Sequence, residues 1–444
     1  MKTAACALLA SGAAVAFSAA PPPPLASGPI DPPAGAGAMG PNVALAGDGV
    51  LLTWLEPVEP RLGKGHRLRF SRLSGDLWSP PVTIASGPAL LANWADFPGA
   101  VQAPDGSLVA HWLEKTGPEA YGIKLARSVD GGATWLPAGA LNGDETLSEH
   151  GFVSWVPEGD GVRGFWLDGR GLAGKTEKEG AMALRTAMVR GKTVGQRKAT
   201  DEVGIDSRVC SCCQTDAALA AGGSVIAYRD RTADEVRDIA VIRRTPQGWS
   251  QPTRVHADNW KIPGCPVNGP ALAAAGRHVA VAWFTAAPPN PRIQVAFSED
   301  GGATFGDSTV VDGGKPIGRV DVALDANGDA LVSWLAADAT DASGAGASVR
   351  LRRITPKGKL GAPLLVAATS AARNSGFPRL VRVGDRLVMA WVEAGEPSKV
   401  RAAAVPVSAI RLGAPPTPPP PTPKPPSHPA KSAARSAGTS PPRP

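Results

Sequence analysis

The sequence predicts an all-β chain folded as a single β-propeller of four-stranded blades, and three observations carry this reading. The first is self-similarity. A short alternating strand, a Gly-containing turn and a second strand ending in an aromatic recur as Val43 to Trp54, Ala100 to Trp112, Phe152 to Trp166, Asp216 to Tyr228, Pro270 to Trp283, Asp321 to Trp334 and Pro378 to Trp391. Units of roughly 50–60 residues mark stacked supersecondary structure, because one such unit cannot bury its apolar face alone. The second is continuation: His66 to Arg72, Gly122 to Ser128, Ile239 to Arg244 and Arg292 to Ser298 read as third strands. Beyond a tight turn a fourth strand opens on Trp78, Trp135, Trp249 or Phe305. The third is period-2 alternation throughout, with no long helical periodicity. Seven repeats are counted, and the last looks short. Seven blades are therefore favoured, with six blades and a remnant as the alternative.

The flanks read differently. Met1-Lys2, the apolar run Ala4 to Ala16 and the small residues at Ser18 to Ala20 have the pattern of a secretory signal peptide over residues 1–20. The run is too short to span a membrane, and no later segment offers a span. Residues 21–41 form a Pro/Gly-rich leader, residues 42–412 the propeller, and residues 413–444 a Pro/Ala/Lys-rich tail expected to be disordered or polyproline-like. That tail carries Lys424, Lys431, Arg435 and Arg443 and no acid, so the net charge of +7 does not argue for a nucleic-acid partner. A periplasmic or secreted monomer is expected.

Five cysteines occur, and Cys6 lies inside the signal segment. The mature chain keeps Cys210, Cys212, Cys213 and Cys265, three of them in Arg208-Val-Cys-Ser-Cys-Cys-Gln-Thr-Asp216. An even number in an exported chain favours disulfides, here Cys265 with one of the other three. Two further readings stay open: a copper or zinc site using thiolates with His256, His150 or nearby carboxylates, and a redox-active Cys212-Cys213 pair. Cys-x-Cys-Cys lacks the two-residue gap of zinc knuckles. The sequence requires no other cofactor.

Two turns are more specific. Ser128-Val-Asp-Gly-Gly-Ala-Thr-Trp135 and Ser298-Glu-Asp-Gly-Gly-Ala-Thr-Phe305 share Ser-x-Asp-Gly-Gly-x-Thr-aromatic. The Asp can bond turn amides and the Gly pair permits positive φ. These turns resemble Asp-boxes (BNR repeats), and the body resembles the sialidase-like β-propeller superfamily. The resemblance implies an exo-α-sialidase-like glycoside hydrolase with arginines holding a substrate carboxylate, an Asp acid/base and a Tyr nucleophile activated by Glu. The early Phe/Tyr-Arg-Ile-Pro motif of that superfamily is absent.

In a propeller, the loops leading into strands 1 and 3 open on one face, and the Asp-box turns open on the other. The lead-in loops hold Asn93-Trp94-Ala-Asp96, Ser148-Glu-His150, the cysteine loop, Asn259-Trp260 to Asn268, Gly318-Arg319-Val-Asp321 and Ala372-Arg373-Asn-Ser375. On this register Arg208, Arg229, Arg231, Arg319, Arg373, Trp94 and Trp260 are candidate substrate-binding residues, and Asp96, Tyr228, Asp230 and Glu235 candidate catalytic ones. Tyr121, near Glu119, is the one other tyrosine. Two residues past the marker aromatics stand Glu56, Glu114, Asp168, Asp230 and Glu393, which read either as solvated strand ends or as a partial acidic ring at the mouth. A glycan or acidic small molecule is the expected ligand. The alternative is a non-catalytic binding or scaffold propeller with a disulfide-stapled or metal-binding Cys-x-Cys-Cys loop.

Overall fold

The computed structural model describes residues 28–58, 65–176, 179–190, 199–338, 341 and 343–413. The expected signal segment and nearly all of the tail lie outside these residues. Seven antiparallel sheets follow one another along the chain. Their innermost strands, Met39–Ala46, Gly99–Gln102, His150–Glu158, Asp216–Ala220, Ala271–Ala275, Pro316–Leu324 and Arg379–Val383, each touch the next, and the last touches the first. The ring is closed, with seven blades rather than six.

The shortness of the last repeat has a topological cause. Blade 7 takes its outer strand from the N-terminus: Gly28–Pro29 pairs antiparallel with Ala404 and Ala403 of Lys399–Pro406. The ring thus begins earlier than residue 42, inside the expected leader. Ile30 N–H donates to the Ala402 carbonyl at 3.0 Å, and the Trp78 indole of blade 1 donates to the Ile30 carbonyl at 2.6 Å.

The core lies between blades, because each sheet buries both faces against its neighbours. Second strands such as Gly161–Asp168 are buried along their whole length. Trp54, Trp166, Trp283 and Trp334 are at most 1% exposed, and burying each ring contributes about 3 kcal/mol. Six of the seven marker aromatics also donate to a carboxylate. Trp54, Trp112 and Trp166 reach Glu56, Glu114 and Asp168 on their own strands at 2.7, 3.0 and 2.8 Å. Tyr228, Trp283 and Trp334 reach Asp206, Asp258 and Asp312 in the segments that precede their blades, at 2.6, 2.7 and 2.7 Å. Residues i and i+2 share one face of a strand, so Glu56, Glu114 and Asp168 are spent on packing aromatics. They form no acidic ring at the mouth.

Both Gly-Gly turns on the opposite face have the same bonds. Asp130 Oδ1 accepts from Thr134 N–H at 2.9 Å and Asp300 Oδ1 from Thr304 N–H at 2.9 Å. The Thr134 hydroxyl, with the Thr134 amide and the Ser128 hydroxyl, holds the Asp130 carboxyl at about 2.

Candidate functional site

The lead-in loops converge on the ring axis and bond to one another around it. Gln214, beside the cysteines, donates to the Ala95 carbonyl at 2.7 Å and accepts from Gly269 N–H at 3.1 Å, joining the loops that lead into blades 2, 4 and 5. Asn268 accepts from Arg319 N–H at 2.7 Å. The Arg319 guanidinium donates to the Ser375 hydroxyl at 2.9 Å and the Gly376 carbonyl at 3.0 Å. Phe377 then stacks on Trp94 with ring centroids 6.1 Å apart, which closes the circuit. Asp216 and Asp321 tie inner strands to the next blade by accepting from Leu272 and Leu380 N–H, each at 2.8 Å.

This network occupies most of the arginines expected to meet substrate. Arg229, buried, donates to the backbone carbonyls of Asn268, Arg237 and Phe284 and lies 4.9 Å over the Trp260 ring. Arg319 lies 5.0 Å over Trp94, and burial together with the Arg373 charge lowers its pKa to about 10. Arg231 is paired with Glu235 at 2.6 Å. Arg373 is exposed, 5.9 Å over the Trp94 ring, and Arg208 is half-buried at the end of blade 3. Arg319 and Arg373 meet at Trp94, whereas Arg229 is engaged by backbone carbonyls and Arg231 by Glu235. Trp94 is flanked by Phe377 and two guanidiniums, and Trp260 is buried against Phe284.

The expected catalytic residues separate into three groups. Tyr228 is 1% exposed in an apolar cluster with Phe165, Leu184 and Ile226, where burial and the Asp206 carboxylate push its phenol up. Asp230, raised to about 6 by burial, lies beside Asp206 and Asp238. Glu235 bridges Arg231 and Arg237, the latter at 2.7 Å. Asp96 is elsewhere: buried under the blade 2 lead-in loop, it accepts from Phe152 N–H at 2.9 Å, and burial raises its pKa to about 7.

Around Asp96 the structure assembles residues the sequence did not connect. A Cβ on Gly151 would stand 2.0 Å from Asp96 Oδ2 and 3.2 Å from Tyr121 Cε2, so the carboxyl and the phenol ring press on one glycine. Tyr121 and Glu149 pair as an isolated parallel bridge. Burial pushes the Tyr121 phenol up, and the charges of Asp96, Glu149 and Cys212 add to it. Tyr121 and Glu149 line a groove of about 1050 Å³ together with Asn93, Lys115, Leu147 and Lys175. The one available signal was the pair of blade 2 and blade 3 loops on a common face; the glycine that lets them meet carries no mark of its own.

The four cysteines also converge. Cys210 Sγ lies 3.2 Å from Cys213 Sγ and 3.9 Å from Cys212 Sγ, and none of the four forms a disulfide. Cys212 is hydrogen-bonded to Cys265, whose sulfur is 4.0 Å from the Ser211 hydroxyl. Hydrogen bonds from Cys212 and Cys213, with the Arg229 charge, hold the Cys210 thiol well below its usual value. Neither His150 nor His256 joins this cluster: His256 bonds Asp258 at 3.1 Å, and His150 sits against Asp144 and Asp168. The acids around His150 share Arg170, whose Nη2 reaches Asp144, Asp168 and Glu202 at 3.1, 2.8 and 2.7 Å.

No family model matches the chain, and no curated protein matches it. Solved structures do. An α-L-arabinofuranosidase from Fusarium graminearum is 14% identical with a TM-score of 0.47, covering 87% of this chain and 99% of that one. An α-L-arabinanase from Penicillium chrysogenum, complexed with arabinobiose, is 13% identical with a TM-score of 0.46, covering 88% and 100%. The NanB sialidase of Streptococcus pneumoniae is 10% identical with a TM-score of 0.42, covering 84% and 69%. Among the described residues no helix is long and apolar enough to cross a membrane. By its own strands and their closure, the chain is a seven-bladed β-propeller.

Proposed function

We propose that this chain is a carbohydrate-acting propeller whose ligand lies in the groove over Tyr121. The observation that carries the reading is the groove itself. It opens on the lead-in face, has the volume of a small oligosaccharide site, and mixes an aromatic and aliphatic surface with amide, carboxylate and ammonium groups. Sugars present apolar C–H faces and a rim of hydroxyls, and this lining matches both. Lys115 and Lys175 supply its positive charge, in place of an arginine clamp. With Glu119, Glu149 and Glu179 beside them, a neutral glycan fits better than a sialic acid.

A hydrolytic role is favoured by one observation, the Asp96 carboxyl at about 7 beside Tyr121. A carboxyl that keeps its proton near neutrality suits a general acid. Tyr121 then stands where a phenol nucleophile would, and Glu149 is the base that takes its proton. For Asp96, 4% exposed and outside the groove lining, to protonate the departing glycosidic oxygen and later accept a proton from the water that releases the sugar, the Gly151 segment must move aside. In place of Tyr228, these assignments make Tyr121 the reacting phenol.

Calorimetric titration of the mature protein against an arabino-, xylo- and galacto-oligosaccharide panel tests binding, and aryl glycosides of the same sugars test turnover. The reading expects binding that Tyr121→Ala abolishes, and turnover that Asp96→Asn lowers about 100-fold or more. Binding without turnover leaves a lectin-like propeller. Binding unchanged in Tyr121→Ala sinks the groove.

A further inference from the structure

We propose that Cys210, Cys212 and Cys213 form a thiolate site for a soft cation, copper(I) foremost, with Cys265 as a flanking sulfur on its solvent side. The three sulfurs lie within 4.8 Å of one another. Two of the separations, 3.2 and 3.9 Å, are far beyond a sulfur–sulfur bond of about 2.05 Å. Three sulfurs bound to one ion at about 2.3 Å in a trigonal plane stand roughly 4.0 Å apart, so the 3.9 Å pair already fits and Cys210 and Cys213 need only draw apart by under about 1 Å to complete a trigonal set.

The surroundings are those of a built site. Cys210 and Cys213 are each 1% exposed, Cys212 is half-buried and Cys265 exposed, so the cluster is anchored in the protein and reachable from solvent. Two guanidiniums back it. Arg237 Nη1 donates to Cys210 Sγ at 3.4 Å, while its other nitrogens are fixed by Glu235 at 3.2 and 2.7 Å. Arg229 is locked on carbonyls, and its own carbonyl accepts from Cys210 N–H at 3.0 Å. Their charges offset the anionic sulfurs and orient the first ligand, as groups behind metal ligands do. Gln214, one residue past Cys213, pins the loop to both sides of the mouth. The loop is therefore held by bonds that do not involve sulfur.

The donor set decides the ion. It is all sulfur, with no imidazole or carboxylate among the described residues of the cluster, and thiolates select copper(I) and zinc over harder cations. Three donors come from one loop, and the fourth is reached only through Cys212. A closed structural zinc site wants four equivalent ligands, whereas three suffice for copper(I). Binding releases thiol protons to solvent, and no change of oxidation state is involved.

The test is anaerobic titration of the reduced full-length mature protein with copper(I) and with zinc(II), each against a chromophoric chelator. About one copper(I) per chain should be retained, with sulfur-to-copper absorption in the near ultraviolet. Cys210→Ser and Cys212→Ser should each weaken retention on the order of 100-fold, and Arg237→Ala about 10-fold. Cys265→Ser should weaken it less than either. Because Cys210 is buried and its variant can misfold, copper(I) protection of Cys212 from iodoacetamide in the unaltered protein is the second readout. Loss of both metals to the chelator, retention unchanged in Cys212→Ser, or reductant-resistant disulfides in place of reactive thiols would each overturn the site. Zinc preferred over copper(I), with equal dependence on all four cysteines, would overturn the three-sulfur copper form.

Discussion

Gly151 touches Asp96 so closely that a methyl group at the glycine would stand 2.0 Å from the carboxylate oxygen. Because the Asp96 carboxyl is held there by Phe152 N–H, it cannot swing away without leaving both groups unsatisfied in a buried place. Gly151→Ala is therefore expected to destabilise the protein by about 1–3 kcal/mol. It should also cost groove binding more than an Ala substitution at an open strand-end glycine such as Gly87, which meets nothing within 4 Å. Denaturant midpoints of the two variants, with oligosaccharide titration alongside, make the comparison.

Stability should fall as pH rises from about 4 towards 7. Asp96 titrates near 7 when folded, against an ordinary value of 3.8, with burial as the first cause; Asp216 is raised to about 7 in the same way. Below pH 3.8 each is protonated in both states and the contribution is complete. Between 3.8 and 7 the unfolded chain gives up a proton the folded chain keeps, so the contribution is lost progressively, to about 4 kcal/mol per group at most. Asp96→Asn should flatten the decline in melting temperature between pH 4 and 8. An unchanged slope would place the Asp96 proton elsewhere.

The ring was legible because packing repeats. Every blade needs an aromatic at the same depth, so the spacing of Trp54, Trp112, Trp166 and their successors survives divergence of everything around them. The acids two residues later were legible as a pattern but not as a role. Glu56, Glu114 and Asp168 accept indole protons from their own strands, and where that position is Thr285 or Ala336 the preceding segment supplies Asp258 or Asp312. Strand parity relates i to i+2, whereas the contact of one blade's end with the next depends on twist, which has no local code. The same limit hid the meeting of Tyr121, Glu149 and Asp96, which depends on the Gly151 contact and on the bridge between Tyr121 and Glu149. Register alone places the cysteines on the lead-in face, but the guanidinium that donates to Cys210 comes from Arg237, more than twenty residues away.

Tyr228 and Tyr121 should behave oppositely. Tyr228→Phe removes a hydroxyl that donates to Asp206 at 2.6 Å inside a packed cluster. The cost is that of one buried charge-assisted bond, about 1–3 kcal/mol, with groove binding and any turnover retained. Tyr121→Phe keeps the ring against Gly151 and should leave stability nearly unchanged, while abolishing turnover. Thermal melts and aryl-glycoside assays on both variants separate a packing phenol from a reacting one, and the reverse outcome would return Tyr228 to the site.

The N-terminal strand should act as the clasp of the ring. Its Gly28–Pro29 pairing with Ala404 and Ala403 is extended by Ile30 N–H to the Ala402 carbonyl and by Asp31, which meets Arg401 at 2.7 Å and Ala402 N–H at 3.2 Å. The Trp78 indole then ties the same segment to blade 1. Removing residues 28–31 takes away several hydrogen bonds worth about 1 kcal/mol each. It also bares Lys399–Pro406 as an open sheet edge, which invites edge-to-edge association. A truncated protein should lose about 4 kcal/mol, show faster amide exchange across residues 399–406, and aggregate on warming. Asp31→Ala alone, a half-exposed ion pair, should cost under about 1 kcal/mol. Exchange in blade 7 that is indifferent to the truncation would mean that the ring is held shut by the inner strands alone.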